Sequence, residues 1–115
     1  MSRLHEEMQN KKKELPKGFL TEDQAGVKYY PDADYVQSKE FDEGGEHITQ
    51  IVLSTSDSAD KVRDFYEKAI GAKAMPTVPP TYSIQRDYGG KHYQVDYGRF
   101  DSDTTISIKV SKASG

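Results

Sequence analysis

The sequence predicts an α+β domain in two layers: an antiparallel sheet of about five strands, ordered β-β-α-β-β-β, with one amphipathic helix on one face. Three observations lead there. Residues 59–70 carry a single apolar stripe at helical spacing. Residues 82–110 alternate apolar and polar side chains around two turns that agree on which side is dry. The composition is 34% hydrophobic and 30% charged, which suits a thin core under one sheet face. A chain of 115 residues fits one domain, long enough to fold without staples. Residues 1–26 read as a flexible polar arm, 27–112 as the folded domain, and 113–115 as a tail.

In the arm, only Leu4 and Met8 interrupt the polar run from Met1 to Glu14, and an isolated helix this short is marginal in water. Phe19 and Leu20 are the residues expected to pin the arm to the body. The first strand is expected near Asp34–Phe41, the turn at Asp42–Glu46, and the second strand near His47–Thr55. The second strand is frustrated in register: Ile48 and Val52 fall on one face, Ile51 and Leu53 on the other. That conflict predicts a bulge or a central strand covered on both sides.

The helix is the clearest element. Ala59, Val62, Phe65, Tyr66, Ala69 and Ile70 form its stripe, and Lys61, Arg63, Asp64, Glu67 and Lys68 lie off it. Ser56 or Asp57 is expected to cap its start, and Gly71 to end it in the left-handed conformation. Ala74–Pro80 contains three prolines and cannot be a central strand. With Gly89-Gly90 as a hairpin turn, Tyr82 faces Tyr97, Ile84 faces Val95 and Arg86 faces Tyr93. With a loop at Phe100–Asp103, Tyr97 faces Ile106, Val95 faces Ile108 and Tyr93 faces Val110. Both turns give one dry face, which should meet the helix stripe. Ser83, Gln85, Asp87, His92, Gln94, Asp96, Ser107 and Lys109 fall on the wet face.

Composition excludes several classes. The net charge of −3 gives no global field for nucleic acid, and none is expected as a partner. With no cysteine, the chain has no disulfide, thiolate metal site or cysteine nucleophile. No apolar run reaches the ~18 residues of a membrane span, and residues 1–14 lack the apolar region of a signal peptide. A membrane role would need an anchor or leader outside this sequence.

Candidate chemistry is sparse. Asp87 and His92 should lie opposite each other on the wet face, with Asp96 further along and Ser83 nearby. A carboxylate orienting an imidazole is the geometry of a general base, whereas an exposed cross-strand ion pair is the plainer reading. Glu46 and His47, with Glu40 opposite, offer a divalent metal a single histidine. Asp32/Asp34 and Asp101/Asp103 are acidic pairs in turn settings without a calcium loop. Lys11-Lys12-Lys13 is a short basic run beside Glu6, Glu7 and Glu14, closer to a solvated tail than a phosphate-binding patch. No cofactor or phosphate-loop motif is present; the glycine pairs are hairpin turns. Of eight tyrosines, Tyr66, Tyr82, Tyr93 and Tyr97 are assigned to the core. Tyr29, Tyr30, Tyr35 and Tyr88 remain as a candidate interaction surface.

Tyr30-Pro31-Asp32-Ala33 and the run Ser56-Asp57-Ser58-Ala59-Asp60-Lys61-Val62-Arg63-Asp64-Phe65-Tyr66 resemble a set of small bacterial domains of unknown function. Those domains carry a Tyr-Pro-Gly-Ala motif leading into a hairpin, and a helix of the form D-S-x-x-x-V-x-x-F-Y. The resemblance covers about residues 27–112. This chain departs from it at Asp32, where glycine is usual; Asp tolerates a left-handed turn better than most residues. Because such domains often follow a lipoprotein signal or membrane anchor, the resemblance implies an extracytoplasmic location, periplasm or envelope, with cytoplasm as the alternative. It carries over no catalytic residues.

The resulting expectation is a non-enzymatic binding or accessory domain that engages a protein partner, or a second copy, through a sheet edge or the exposed tyrosines. Two alternatives come from other classes. One is a small hydrolase or isomerase using Asp87, His92 and Asp96, which needs a pocket on the wet face. The other is a small-ligand carrier with a cavity between sheet and helix.

Overall fold

A computed structural model describes residues 15–113. Its sheet has six antiparallel strands: β1 (Asp34–Glu43), β2 (Glu46–Thr55), β3 (Met75–Pro76), β4 (Thr81–Tyr88), β5 (Lys91–Phe100) and β6 (Asp103–Ala113). Their spatial order is β1-β2-β6-β5-β4-β3, so the meander β4-β5-β6 joins the first hairpin through its last strand, β6, against β2. The helices are α1 (Glu22–Ala25) and α2 (Ala59–Tyr66), the latter continued by a π-helical turn over Glu67–Gly71. The α+β, antiparallel reading holds, with one more strand and one more short helix than expected.

The meander follows the predicted register. Tyr82, Ile84 and Arg86 pair with Tyr97, Val95 and Tyr93, and these in turn pair with Ile106, Ile108 and Val110. Ile84, Val95, Ile106 and Ile108 are buried against Val62, Tyr66 and Ile70. Covering one such side chain contributes about 1.5–3 kcal/mol, so this contact is the main driving force for the two-layer fold. The β5–β6 turn narrows to Asp101-Ser102, because Phe100 pairs with Asp103.

Of the two causes named above for the register conflict in the second strand, its interior place in the sheet applies, and β2 itself pairs without a shift against β6. A bulge sits instead in β1, between Tyr35 and Gln37. Ile51 and Leu53 face the helix, while Ile48, opposite Phe41, is buried on the other face. The bulge and the charges of Lys39, Glu40 and Asp42 blunt the β1 edge against strand addition. The prolines in the 74–80 linker fit its place: β3 is two residues long and lies at the opposite edge.

Other expectations need correction. The N-cap of α2 is Ser58, whose Oγ accepts from the Lys61 N–H at 3.3 Å. Asp57 is engaged elsewhere: its carboxylate accepts from the Tyr30 hydroxyl, and its carbonyl from Thr104 and Arg99. Ala69 is exposed, although an unbroken α-helix would bury it beside Phe65 and Ile70. The π turn adds backbone per turn, so Ile70 still points inward while Ala69 rotates out. Gly71 does end the helix with φ of 85°. Ser83, on the wet face, is buried between Met75 on β3 and Asp96 on β5, its Oγ accepting from Gln85.

Residues 15–26 pack on the body. Thr21 and Gln24 form a reciprocal capping box, Gly26 closes α1 with φ of 78°, and Ala25 enters the core. Leu15, Phe19 and Leu20 lie against the core edge. The rest of the arm, including Lys11-Lys12-Lys13, and the last two tail residues lie outside the described residues.

Candidate functional site

The tyrosines left over by the sequence do not make one surface. Tyr29 and Tyr30 are buried. The Tyr29 hydroxyl donates to the Leu20 carbonyl at 2.7 Å, and the Tyr30 hydroxyl to Asp57 Oδ2 at 2.5 Å. Burial first, then nearby carboxylates, raises both phenols well above their usual range. Tyr35 is half-buried, its ring 5.1 Å from Phe19 and 6.2 Å from Tyr29. Tyr88, the last residue of β4, is 65% exposed. Tyr82, assigned to the core, is 40% exposed and stacks on the buried Tyr97.

Tyr88 instead belongs to a groove of about 440 Å³, within the ordinary range for ligand sites. Three segments build it. The segment from α1 into the turn after it supplies Glu22, Asp23, Val27 and Lys28. The π turn supplies Ala69 and Ile70, and the β4–β5 hairpin supplies Arg86, Tyr88 and Tyr93. Each wall is held in place. The Tyr66 hydroxyl, from the core, donates to the Lys28 carbonyl at 3.0 Å. Glu22 Oε2 accepts from the Tyr29 N–H at 2.7 Å, and Lys91 Nζ reaches alongside Gly26. Arg86 Nη1 donates to the Ile70 carbonyl at 3.0 Å, and its guanidinium lies 5.0 Å from the centre of the Tyr88 ring. That approach passes over Gly71, where any Cβ would collide with the Arg86 guanidinium.

The predicted polar sites are placed as follows. Asp87 and His92 are paired, with Nδ1 and Oδ1 2.6 Å apart on the wet face. Asp96 and Ser83 lie opposite each other, four residues further along the strands, or roughly 13 Å away. Asp96 is bonded to Gln94 and Ser83 to Gln85. The four groups do not converge, and none of the four clefts described is lined by Asp87, His92 or Asp96. None is lined by Val62, Ile84, Val95 or Ile108 either, so the clefts lie around the helix–sheet interface rather than inside it.

His47 sits between Glu40 and Asp42, with Nε2 2.8 Å from Glu40 and Nδ1 2.9 Å from Asp42. Hydrogen bonding to Glu40, then to Asp42, raises its pKa and favours an imidazolium that donates from both nitrogens. Glu46, its chain neighbour, faces the opposite side of β2 and pairs with Glu43. Asp32 and Asp101 occupy left-handed turn positions at φ of 61° and 58°.

Sequence reasoning named Tyr88 but not its partners. One signal was present: Arg86, a charged residue on the dry face of β4. The other walls come from distant segments that only the fold brings together. Among the described residues, no helix is long and apolar enough to cross a membrane. Comparisons with known protein families, with curated proteins and with solved structures give no match to this chain.

Proposed function

We propose that this chain is a non-enzymatic binding or accessory domain that takes an extended segment of a protein partner into the Arg86–Tyr88–Tyr93 groove. The observation that carries the reading is the groove's construction. It joins exposed aromatic and guanidinium surface, the residue types enriched where proteins meet, to a fixed framework. One wall is a π-helical turn, a rare geometry frequent at functional sites. We further take the domain to be bacterial and held at the cell envelope; the support is the resemblance of the Tyr30–Ala33 and Ser56–Tyr66 motifs.

The test is a selection from a displayed peptide library against the intact chain and against Ala69→Trp, which fills the groove from an exposed position. Enriched peptides should bind the intact chain and lose at least tenfold in affinity on the variant. Peptides that bind both equally, or no enrichment at all, would contradict the proposal.

A further inference from the structure

The three arginines among the described residues are used differently. Arg63 is paired with Asp60 and Asp64 on the exposed face of α2. Arg99 donates to the carbonyls of Ser56, Asp57 and Ser102. Arg86 donates once, from Nη1 to Ile70, and rests on the Tyr88 ring. Among the described residues no carboxylate pairs with it, in a chain whose 19 acidic residues outnumber its 16 lysines and arginines. Its position is nonetheless fixed, by one backbone bond and one ring.

The surroundings narrow what such a group would hold. Lys28 lines the same groove and Lys91 flanks it at Gly26, so with Arg86 three cations stand against the carboxylates of Glu22 and Asp23. That near balance of charge weighs against a dianion such as phosphate but tolerates a single negative charge. A planar carboxylate matches parallel guanidinium N–H groups in a bidentate pair. Val27, Ile70 and Tyr93 offer apolar surface beside it.

We infer that the groove recognises the free carboxyl end of a peptide chain with an apolar last residue, with Arg86 as the carboxylate receptor. This rests on the groove being the binding site proposed above. A chain end supplies the required monoanion, an apolar side chain next to it, and an extended backbone leading out between the walls.

The probe is a pool of acetylated hexapeptides with apolar last residues, made once as free acids and once as C-terminal amides. Each is titrated into the intact chain while the Arg86 Nε–H and the Tyr88 and Tyr93 ring signals are followed by NMR. The free acids should shift all three residues and bind roughly 10- to 100-fold more tightly than the amides, the range for one charge-assisted contact. Arg86→Gln should abolish that difference. Arg86→Lys keeps the charge but not the fork, and should reduce it; this second variant guards against a folding defect in the first.

Amides that bind as well as acids would overturn the inference and leave the groove as a binding site. Isobutyrate binding as tightly as the peptides would overturn it in favour of a small acid. If neither pool binds while Ala69→Trp still discriminates among selected peptides, the carboxylate inference alone fails. If the selection fails too, the groove itself is rejected.

Discussion

The Tyr66 hydroxyl donates to the carbonyl of Lys28 at 3.0 Å, which ties the fully buried last residue of α2 to the segment that forms one wall of the groove. Core and groove are thereby mechanically joined. Tyr66→Phe should leave the Lys28 carbonyl without this partner and cost about 1–3 kcal/mol in urea unfolding. Tyr66→Ala should cost more, about 3–5 kcal/mol, through the cavity it opens. Equal losses for the two variants would mean that the hydroxyl contributes nothing.

Gly71 and Arg86 are coupled by space. Gly71→Ala meets two obstacles, a φ of 85° and the guanidinium lying over its Cα. The left-handed conformation alone costs roughly 1–2 kcal/mol for a side-chain-bearing residue. Arg86→Ala removes the second obstacle. In a double-mutant cycle, Gly71→Ala should therefore cost less in the Arg86→Ala background than in the intact chain. Simple additivity would show that the two residues do not share this space.

Asp32 stands at φ of 61° in the turn that leads into β1. Asp is one of the few residues that enters this region readily, and glycine enters it without a Cβ clash. Asp32→Gly should be neutral or slightly stabilising in thermal melts. Asp32→Val should destabilise by about 1–2 kcal/mol or more, since a β-branched side chain is poorly tolerated there. A stable Asp32→Val protein would argue against the turn.

His47 should contribute a pH dependence of defined sign. Its folded-state pKa is raised above the ordinary 6.5 by hydrogen bonds to Glu40 and Asp42. The folded state thus holds the proton more tightly than the unfolded state. Its stabilising contribution is fully present below the unfolded pKa and fades as pH rises through the folded one. His47→Gln should flatten stability against pH in that window, and an NMR titration of the His47 ring should give a midpoint above 6.5. A midpoint at or below that value would contradict the double hydrogen bond.

Much of the fold was legible because independent signals agreed. The alternation in Tyr82–Val110 and its two turns each specify the same face, so the register could be read residue by residue. The position of β6 beside β2 was not legible, because β1, β2 and β6 all carry suitable edges and alternation says nothing about neighbours. The exposure of Ala69 was hidden because helical spacing assumes an α-helix throughout. The capping box at Thr21 and Gln24 is a genuine sequence signal, but a four-residue helix is too short for periodicity to support it. Tyr29 and Tyr30 were misplaced for a related reason. Isolated aromatics in an irregular segment carry no period, and their burial depends on hydroxyl partners at Leu20 and Asp57. The groove draws on three separated segments, so only Tyr88 and the anomaly of Arg86 pointed to it.

The binding role is tested most directly by intermolecular NOEs from a selected peptide bound to the isotope-labelled chain. They should connect the peptide to the Tyr88 and Tyr93 rings and to the Val27 methyls. Contacts confined to the β1 edge, or to the face bearing Asp87 and His92, would contradict it.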